Sequence, residues 1–101
     1  MPRQRCGNPV PTASATVRIS NKLGLHARPA MLFVEAAAAF SADIAVRRVD
    51  QSEKVDGKSI MQMMMLAATQ GTRIEIAATG DDADAAVKEL VALVESHFQE
   101  E

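Results

Sequence analysis

A histidine and an arginine, both suited to phosphate chemistry, stand within residues 23–30, which read LGLHARPA. The imidazole of His26 can act as a neutral nucleophile near pH 7 and can carry a labile group. The guanidinium of Arg28 presents a planar set of donors that suits a phosphate. These two side chains, two positions apart, predict a site that holds a phosphoryl group on His26.

The segment that follows Arg28 has the composition of a helix. Residues 29–40 contain no glycine and no further proline, and alanine, the best helix former, dominates. A proline is tolerated in the first turn of a helix, and it disfavours helical angles at the residue before it. We therefore place the start of the helix near His26 to Arg28. The amides of Ala27 and Arg28 should then lie unpaired beside His26, where a helix N-terminus binds anions.

Each of these residues also has a purely structural interpretation. A single histidine near a helix start, such as His26, is more often a cap or a surface residue than a functional one. Arg28 could be a solvated surface charge, and Gly24 could simply end a turn. Their combination within six residues favours the functional interpretation, because a cap would more simply use Ser, Thr, Asp or Asn.

Two motifs carry a resemblance to a known family. The run LHARPA at residues 25–30 resembles the active-site motif of HPr, the histidine-containing phosphocarrier of the bacterial phosphoenolpyruvate:sugar phosphotransferase system. About thirty residues further on, GKSIM at residues 57–61 resembles that family's regulatory serine segment. The resemblance spans roughly residues 14–98, with a small length difference at residues 50–54.

The resemblance implies a role for each site residue. Nδ1 of His26 would accept a phosphoryl group from enzyme I and pass it to an enzyme IIA-type acceptor. Arg28 and the amides of Ala27 and Arg28 would bind the phosphate. The chain would be a phosphoryl carrier rather than an independent catalyst, and we expect no cofactor. Two histidines and one distant cysteine make no recognisable metal set.

Ser59 has two compatible interpretations. Residues 59–62 read SIMQ, a capping-box pattern in which a serine caps a helix and a glutamine follows three residues later. From the residues alone capping is the favoured role. The resemblance adds that Ser59 is a candidate substrate of a serine kinase and a matching phosphorylase.

The helix predicted after Ser59 is rich in methionine, and four of the six methionines of the chain lie within residues 60–66. A two-turn helix can bury only one face, so some of these side chains should be exposed. They are either adaptable core fillers or an apolar docking surface. The resemblance places Ile60, Met61 and Met64 at partner contacts, together with Met31 from the first helix.

Composition excludes several classes of protein. A length of 101 residues suits one domain, and 48% hydrophobic residues predict a packed core. A net charge of −2 and the lack of Trp and Tyr argue against nucleic-acid binding. The sequence has no apolar run long enough for membrane insertion and no secretory signal, and a single cysteine, Cys6, fits a reducing cytoplasm. We expect a cytoplasmic monomer.

Apolar periodicity predicts an α+β fold with the order β-α-β-β-α-β-α. Strands are expected over residues 15–20, 44–49, 53–56 and 72–78, with helices after residues 28, 59 and 80. The second helix should end near Gly71. Val87, Leu90, Val91, Val94 and Phe98 form the apolar stripe of the last helix, and His97 falls in its final turn. Three helices on one face of a four-stranded antiparallel sheet make an open-faced sandwich. Residues 1–13 are expected to be a flexible tail and residues 14–101 the domain.

Some features distinguish branches of the family. Residues 35–39 read EAAAA where many sugar-system carriers have lysines. The lead-in NKLG at residues 21–24 and the ending FQEE at residues 98–101 resemble the nitrogen-related branch, often called NPr. Two other functions stay open at this point: a regulatory module switched mainly at Ser59, and a domain that binds an anion reversibly at the first helix.

Overall fold

Seven helices and strands follow one another in the predicted order in a computed structural model, which describes residues 11–66 and 68–99. Their bounds are β1 Thr12–Arg18, α1 Ala27–Ala38, β2 Asp43–Arg48, β3 Val55–Asp56, α2 Ile60–Met65, β4 Arg73–Thr79 and α3 Ala83–Glu95. The four strands form one antiparallel sheet with the order β1-β4-β2-β3. The predicted α+β open-faced sandwich is confirmed.

The central strand β4 has two different faces. Ile74 and Ile76 are fully buried, whereas Arg73 is exposed and Glu75 half-exposed, as strand alternation requires. On the outer face Glu75 stands opposite Arg47 of β2, whose Nε donates to its carboxylate at 2.8 Å. The sheet therefore presents an apolar face to the helices and a polar face to solvent.

The helices close the apolar face with the residues of their inner stripes. From α1 these are Pro29, Ala30, Phe33 and Ala37, and from α3 Ala83, Ala86, Val87, Leu90 and Val94. Each large side chain buried in this way contributes about 1.5–3 kcal/mol. None of the helices in the described ranges is long and apolar enough to cross a membrane.

Several boundaries differ from the sequence expectation. β1 begins at Thr12, which pairs with Thr79, so residues 12 and 13 belong to the sheet rather than to a tail. The rest of the predicted tail, residues 1–10, lies outside the described residues. α2 ends at Met65 instead of near Gly71, and β3 is only two residues long.

The prediction that His97 lies in the last turn of α3 is wrong. The helix ends at Glu95, and a short 3-10 segment, His97–Gln99, follows it. His97 and Phe98 have φ angles of 60° and 55°, in the left-handed region. That conformation costs about 1–2 kcal/mol per residue, and burying the Phe98 ring, which is fully enclosed, offsets part of this cost.

Asp82 ties two loops together at the end of the sheet where β1 begins. Its carboxylate oxygens accept hydrogen bonds from the amides of Ser41 and Ala42, both at 2.9 Å. Asp82 is also the N-cap residue of α3, but within the described chain its side chain makes no capping bond to that helix. The Ser41 amide, followed by the Ala42 amide, lowers the pKa of Asp82 below its usual value.

We expect Asp82 to make stability depend on acid pH. A carboxyl with a lowered pKa in the folded state stabilises the fold above its unfolded value of about 3.9, and this contribution is lost as pH falls through the folded pKa. Asp82→Asn should therefore lower the melting temperature at pH 7 and flatten its dependence on pH below about 4. Thermal melts across pH test this, with Asp84→Asn, an exposed carboxylate in the first turn of α3, as the control. Identical pH profiles for the wild type and Asp82→Asn would contradict the assignment.

Candidate functional site

His26 stands at the N-cap of α1, as the sequence predicted. Its backbone is extended, with φ −97° and ψ −167°, and its carbonyl accepts the first helical hydrogen bond, from the Ala30 amide at 2.9 Å. Among the described residues, no amide of α1 donates to the imidazole. The side chain is therefore not a helix cap, which weakens the structural interpretation of this histidine.

One imidazole nitrogen of His26, Nε2, is shielded from solvent. The residue as a whole is partly exposed, yet its Nε2 atom has less than 1 Å² of accessible surface. An incoming group cannot reach a nitrogen that is shielded in this way.

The start of α1 supplies donors for an anion. Ala27 and Arg28 are the first two helical residues, both exposed, and residues in these positions have no carbonyl one turn earlier to accept their N–H groups. Pro29 follows and has no N–H of its own. The first turn of α1 contains no acidic side chain to compete with an anion. The two amides, the helix dipole and the exposed Arg28 side chain are the groups of the described chain that this helix start offers to an anion.

The loop before His26 is held against the segment that follows α2. The Leu25 amide donates to the Ala68 carbonyl at 2.8 Å. Gly24 has a φ of +67°, and a Cβ at this position would lie 2.5 Å from the Ala68 oxygen and 2.8 Å from the Thr69 Cα. This close approach of two backbones is possible only with glycine, so Gly24 does more than end a turn.

Asn21 is a supporting residue that sequence reasoning missed. It is 1% exposed, and its Nδ2 donates to the Gly24 carbonyl at 2.7 Å, while its own carbonyl accepts from the Gly24 amide at 3.1 Å. Asn21 thus closes the turn from both sides and fixes the path of the chain into His26. The available signal was an asparagine three residues before a glycine, which is typical of such turns.

Ser59 is the N-cap of α2, so its predicted structural role is confirmed. Its Oγ accepts a hydrogen bond from the Gln62 amide at 3.3 Å. The reciprocal half of a capping box is absent among the described contacts, because the Gln62 side chain accepts from the Asp56 amide at 2.8 Å instead. The glutamine therefore links α2 to β3.

Lys58 has a structural partner that the sequence did not reveal. Its Nζ donates to the Phe40 carbonyl at 2.8 Å, just beyond the end of α1. The last turn of α1 contains no basic residue of its own. Lys58 thus supplies, from another segment, the cation that favours a helix C-terminus.

Five large apolar side chains of α1 and α2 are exposed, and we call them together the methionine patch: Met31, Ile60, Met61, Met64 and Met65. Met61 and Met65 are 77% and 76% exposed, whereas Met63 between them is fully buried. Exposure of the four predicted docking residues is therefore confirmed, and Met65 joins them. The patch lies on the side of α1 that bears the candidate site, because Ala27 and Met31, four residues apart, share one face of that helix.

Comparison with known proteins gives consistent matches along the chain. A sequence model of the PTS-HPr family, "PTS HPr component phosphorylation site", matches residues 13–96. Phosphocarrier protein NPr of Escherichia coli (strain K12) is 38% identical over 90 residues, covering 89% of this chain and 99% of the relative. Phosphocarrier protein HPr of Pseudomonas aeruginosa is 45% identical over 84 residues, covering 83% of this chain and 92% of the relative. The crystal structure of HPr-C-His from Thermoanaerobacter tengcongensis matches with a TM-score of 0.82 and 48% identity, covering 88% of this chain and 98% of that one.

Alanine substitution at two glycines should separate backbone crowding from backbone strain. Gly24 and Gly71 both have positive φ, but no described atom lies within 4 Å of a Cβ built on Gly71. Gly71→Ala should lower the free energy of unfolding by about 1–2 kcal/mol, the cost of a left-handed residue. Gly24→Ala should cost more than this and should shift the backbone resonances of residues 25–28. Urea denaturation and NMR of both variants measure the difference, and equal losses would show that the contact with Ala68 is unimportant.

Proposed function

Because the chain belongs to the HPr family of histidine phosphocarrier proteins, we propose that His26 is the residue that carries the phosphoryl group. The chain is a phosphocarrier of the phosphotransferase system. The observation that carries the assignment of His26 is its place at the N-cap of α1, beside two helix-start amides and Arg28. We also propose that the chain acts as a monomer in the cytoplasm. All groups of the proposed site come from one chain, which supports the monomer.

The transfer step follows from this geometry. The Nδ1 lone pair attacks phosphorus, the bond between phosphorus and the donor breaks, and a bond between Nδ1 and phosphorus forms. The shielding of Nε2 supports Nδ1 as the nucleophile. No general base is required, because a neutral imidazole already has a free lone pair. Charge on the transferred group is balanced by the amides of Ala27 and Arg28 and by the guanidinium, and phosphoryl transfer needs mainly such positioning and neutralisation.

The partners in the proposed sequence are other proteins. Enzyme I, charged by phosphoenolpyruvate, would be the donor, and an enzyme IIA-type domain would be the acceptor. The methionine patch would be the contact surface for both, because exposed flexible thioethers adapt to more than one partner. Arg28 lies at the same end of α1 and would meet acidic side chains of the partner before it meets the phosphate.

His26→Ala should abolish phosphoryl acceptance and leave the fold intact, since the side chain stands at a surface helix start. The measurement is acid-labile label gained on incubation with enzyme I and labelled phosphoenolpyruvate. Arg28→Ala should slow labelling by about tenfold or more, because a charged donor to the transferring group is lost. His97→Ala, which removes the other histidine, is the control and should be labelled normally. A folded His26→Ala protein that still gains label would overturn the assignment, and a wild-type chain that binds phosphate without covalent label would favour the anion-binding alternative.

Ser59 is proposed as a second, regulatory phosphorylation site acted on by a serine kinase. Its hydroxyl is partly exposed and directly precedes Ile60 and Met61 of the methionine patch. A phosphate there adds about −1.5 to −2 charges. Burying that charge against an apolar or acidic partner surface is costly, so phosphorylation would hinder docking rather than unfold the domain.

Two substitutions of Ser59 should separate its two roles. Ser59→Asp should slow transfer to His26 with little loss of melting temperature, because aspartate also caps helices. Ser59→Ala should transfer at the normal rate but lose about 0.5–2 kcal/mol of stability with the cap. Ser14→Asp, on the outer face of β1, adds the same charge away from the patch and should leave transfer unchanged. A normal rate for Ser59→Asp, confirmed with the phosphorylated protein, would remove the regulatory role.

A further inference from the structure

The two most exposed methionines of the described chain lie side by side. Met61 and Met65 are four residues apart on α2 and therefore share one face, each with about three quarters of its side chain open to solvent. Met63 on the opposite face is fully buried in the core. A small oxidant thus has direct access to two thioether sulfurs of this helix, and the core methionine is protected.

We propose that Met61 and Met65 are peroxide-sensitive sites whose oxidation lowers the rate at which this protein exchanges phosphoryl groups. The inference rests on the proposed docking role of the methionine patch. In the chemical step the thioether sulfur attacks one oxygen of a peroxide. A sulfur–oxygen bond forms, the oxygen–oxygen bond breaks, sulfur is oxidised by two electrons, and hydrogen peroxide is reduced to water.

Oxidation changes docking more than folding. A methionine sulfoxide is polar and strongly accepts hydrogen bonds, whereas the thioether is apolar. In the free protein both side chains are already hydrated, so the added oxygen costs the fold little. In a complex the same oxygen must be desolvated against an apolar partner surface without a partner for its lone pairs. The expected result is a folded protein that docks poorly.

The exposed positions of Met61 and Met65 allow their oxidation to be reversed. Sulfoxide formation can be undone by methionine sulfoxide reductases, which need access to the oxidised side chain. Met61 and Met65 keep that access in the free protein because they project from a short surface helix. Leucine would fill the same patch with similar volume and no oxidisable sulfur, so it provides the matched comparison.

The experiment compares three chains, all carrying Cys6→Ser so that no thiol consumes peroxide. These are the parent, a Met61→Leu/Met65→Leu variant and a Met61→Gln/Met65→Gln variant that imitates the polarity of the sulfoxide. Each is treated with hydrogen peroxide and freed of it. Peptide mass spectrometry then gives the occupancy at every methionine. Transfer from phosphoenolpyruvate is followed with enzyme I below saturation.

In the treated parent, Met61 and Met65 should be oxidised to sulfoxide before Met63, and the melting temperature should not change. Phosphoryl transfer should be about tenfold slower, as expected for the loss of a docking contact. Methionine sulfoxide reductase should restore the rate. Measured against its own untreated rate, the leucine variant should lose less of its rate on treatment than the parent does. The glutamine variant should be slow without treatment.

Unchanged transfer by a parent that is fully oxidised at both positions would overturn the inference while leaving the role of His26 intact. A loss of rate that accompanies oxidation of Met63 and a fall in melting temperature would also overturn it, because the cause would then be damage to the core. Absence of label on the untreated parent would overturn the proposed function, and this inference with it.

Discussion

The contact between two segments of the chain, residues 19–25 and 68–72, is the constraint on which the site depends. The Leu25 amide bonds to the Ala68 carbonyl, Ile19 exchanges hydrogen bonds with Gly71 and Thr72, and the Gln70 side chain reaches the Ser20 carbonyl. Because these partners are about fifty residues apart in sequence, the path of the chain into His26 is set by the completed fold.

Two charged side chains act at the other end of α1. Asp82 holds the amides of Ser41 and Ala42, and Lys58 bonds to the Phe40 carbonyl. Both interactions fix the segment that leaves α1. The helix that bears the candidate site is therefore anchored at both ends, at its start by main-chain hydrogen bonds and at its end by two charged side chains from distant segments.

Local patterns in the sequence predict a large part of this structure. The alternation over residues 72–78, the alanine-rich run after Arg28 and the apolar stripe predicted for the last helix each reflect a period that one face of a sheet or helix imposes. The start of α1 at His26 and the cap at Ser59 could also be predicted, because helix ends depend on neighbouring residues in the sequence. Features that depend on tertiary contacts could not be predicted from the sequence. These are the pairing of Gln62 with Asp56, the burial of Asn21, and the left-handed backbone conformation at Phe98, whose ring is buried in the core. In each case the local sequence allows several contacts, and the tertiary structure determines which of them forms.

Two of the three donor groups beside His26 belong to the main chain, at Ala27 and Arg28. A backbone N–H does not titrate, cannot be acetylated or oxidised, and is present with any side chain except that of proline. In the proposed site, phosphate binding at the start of α1 therefore tolerates a wide choice of residue at position 27. Sequence drift at that position would leave the chemistry of the site unaltered, so the identity of residue 27 says little about whether a related chain still carries phosphate.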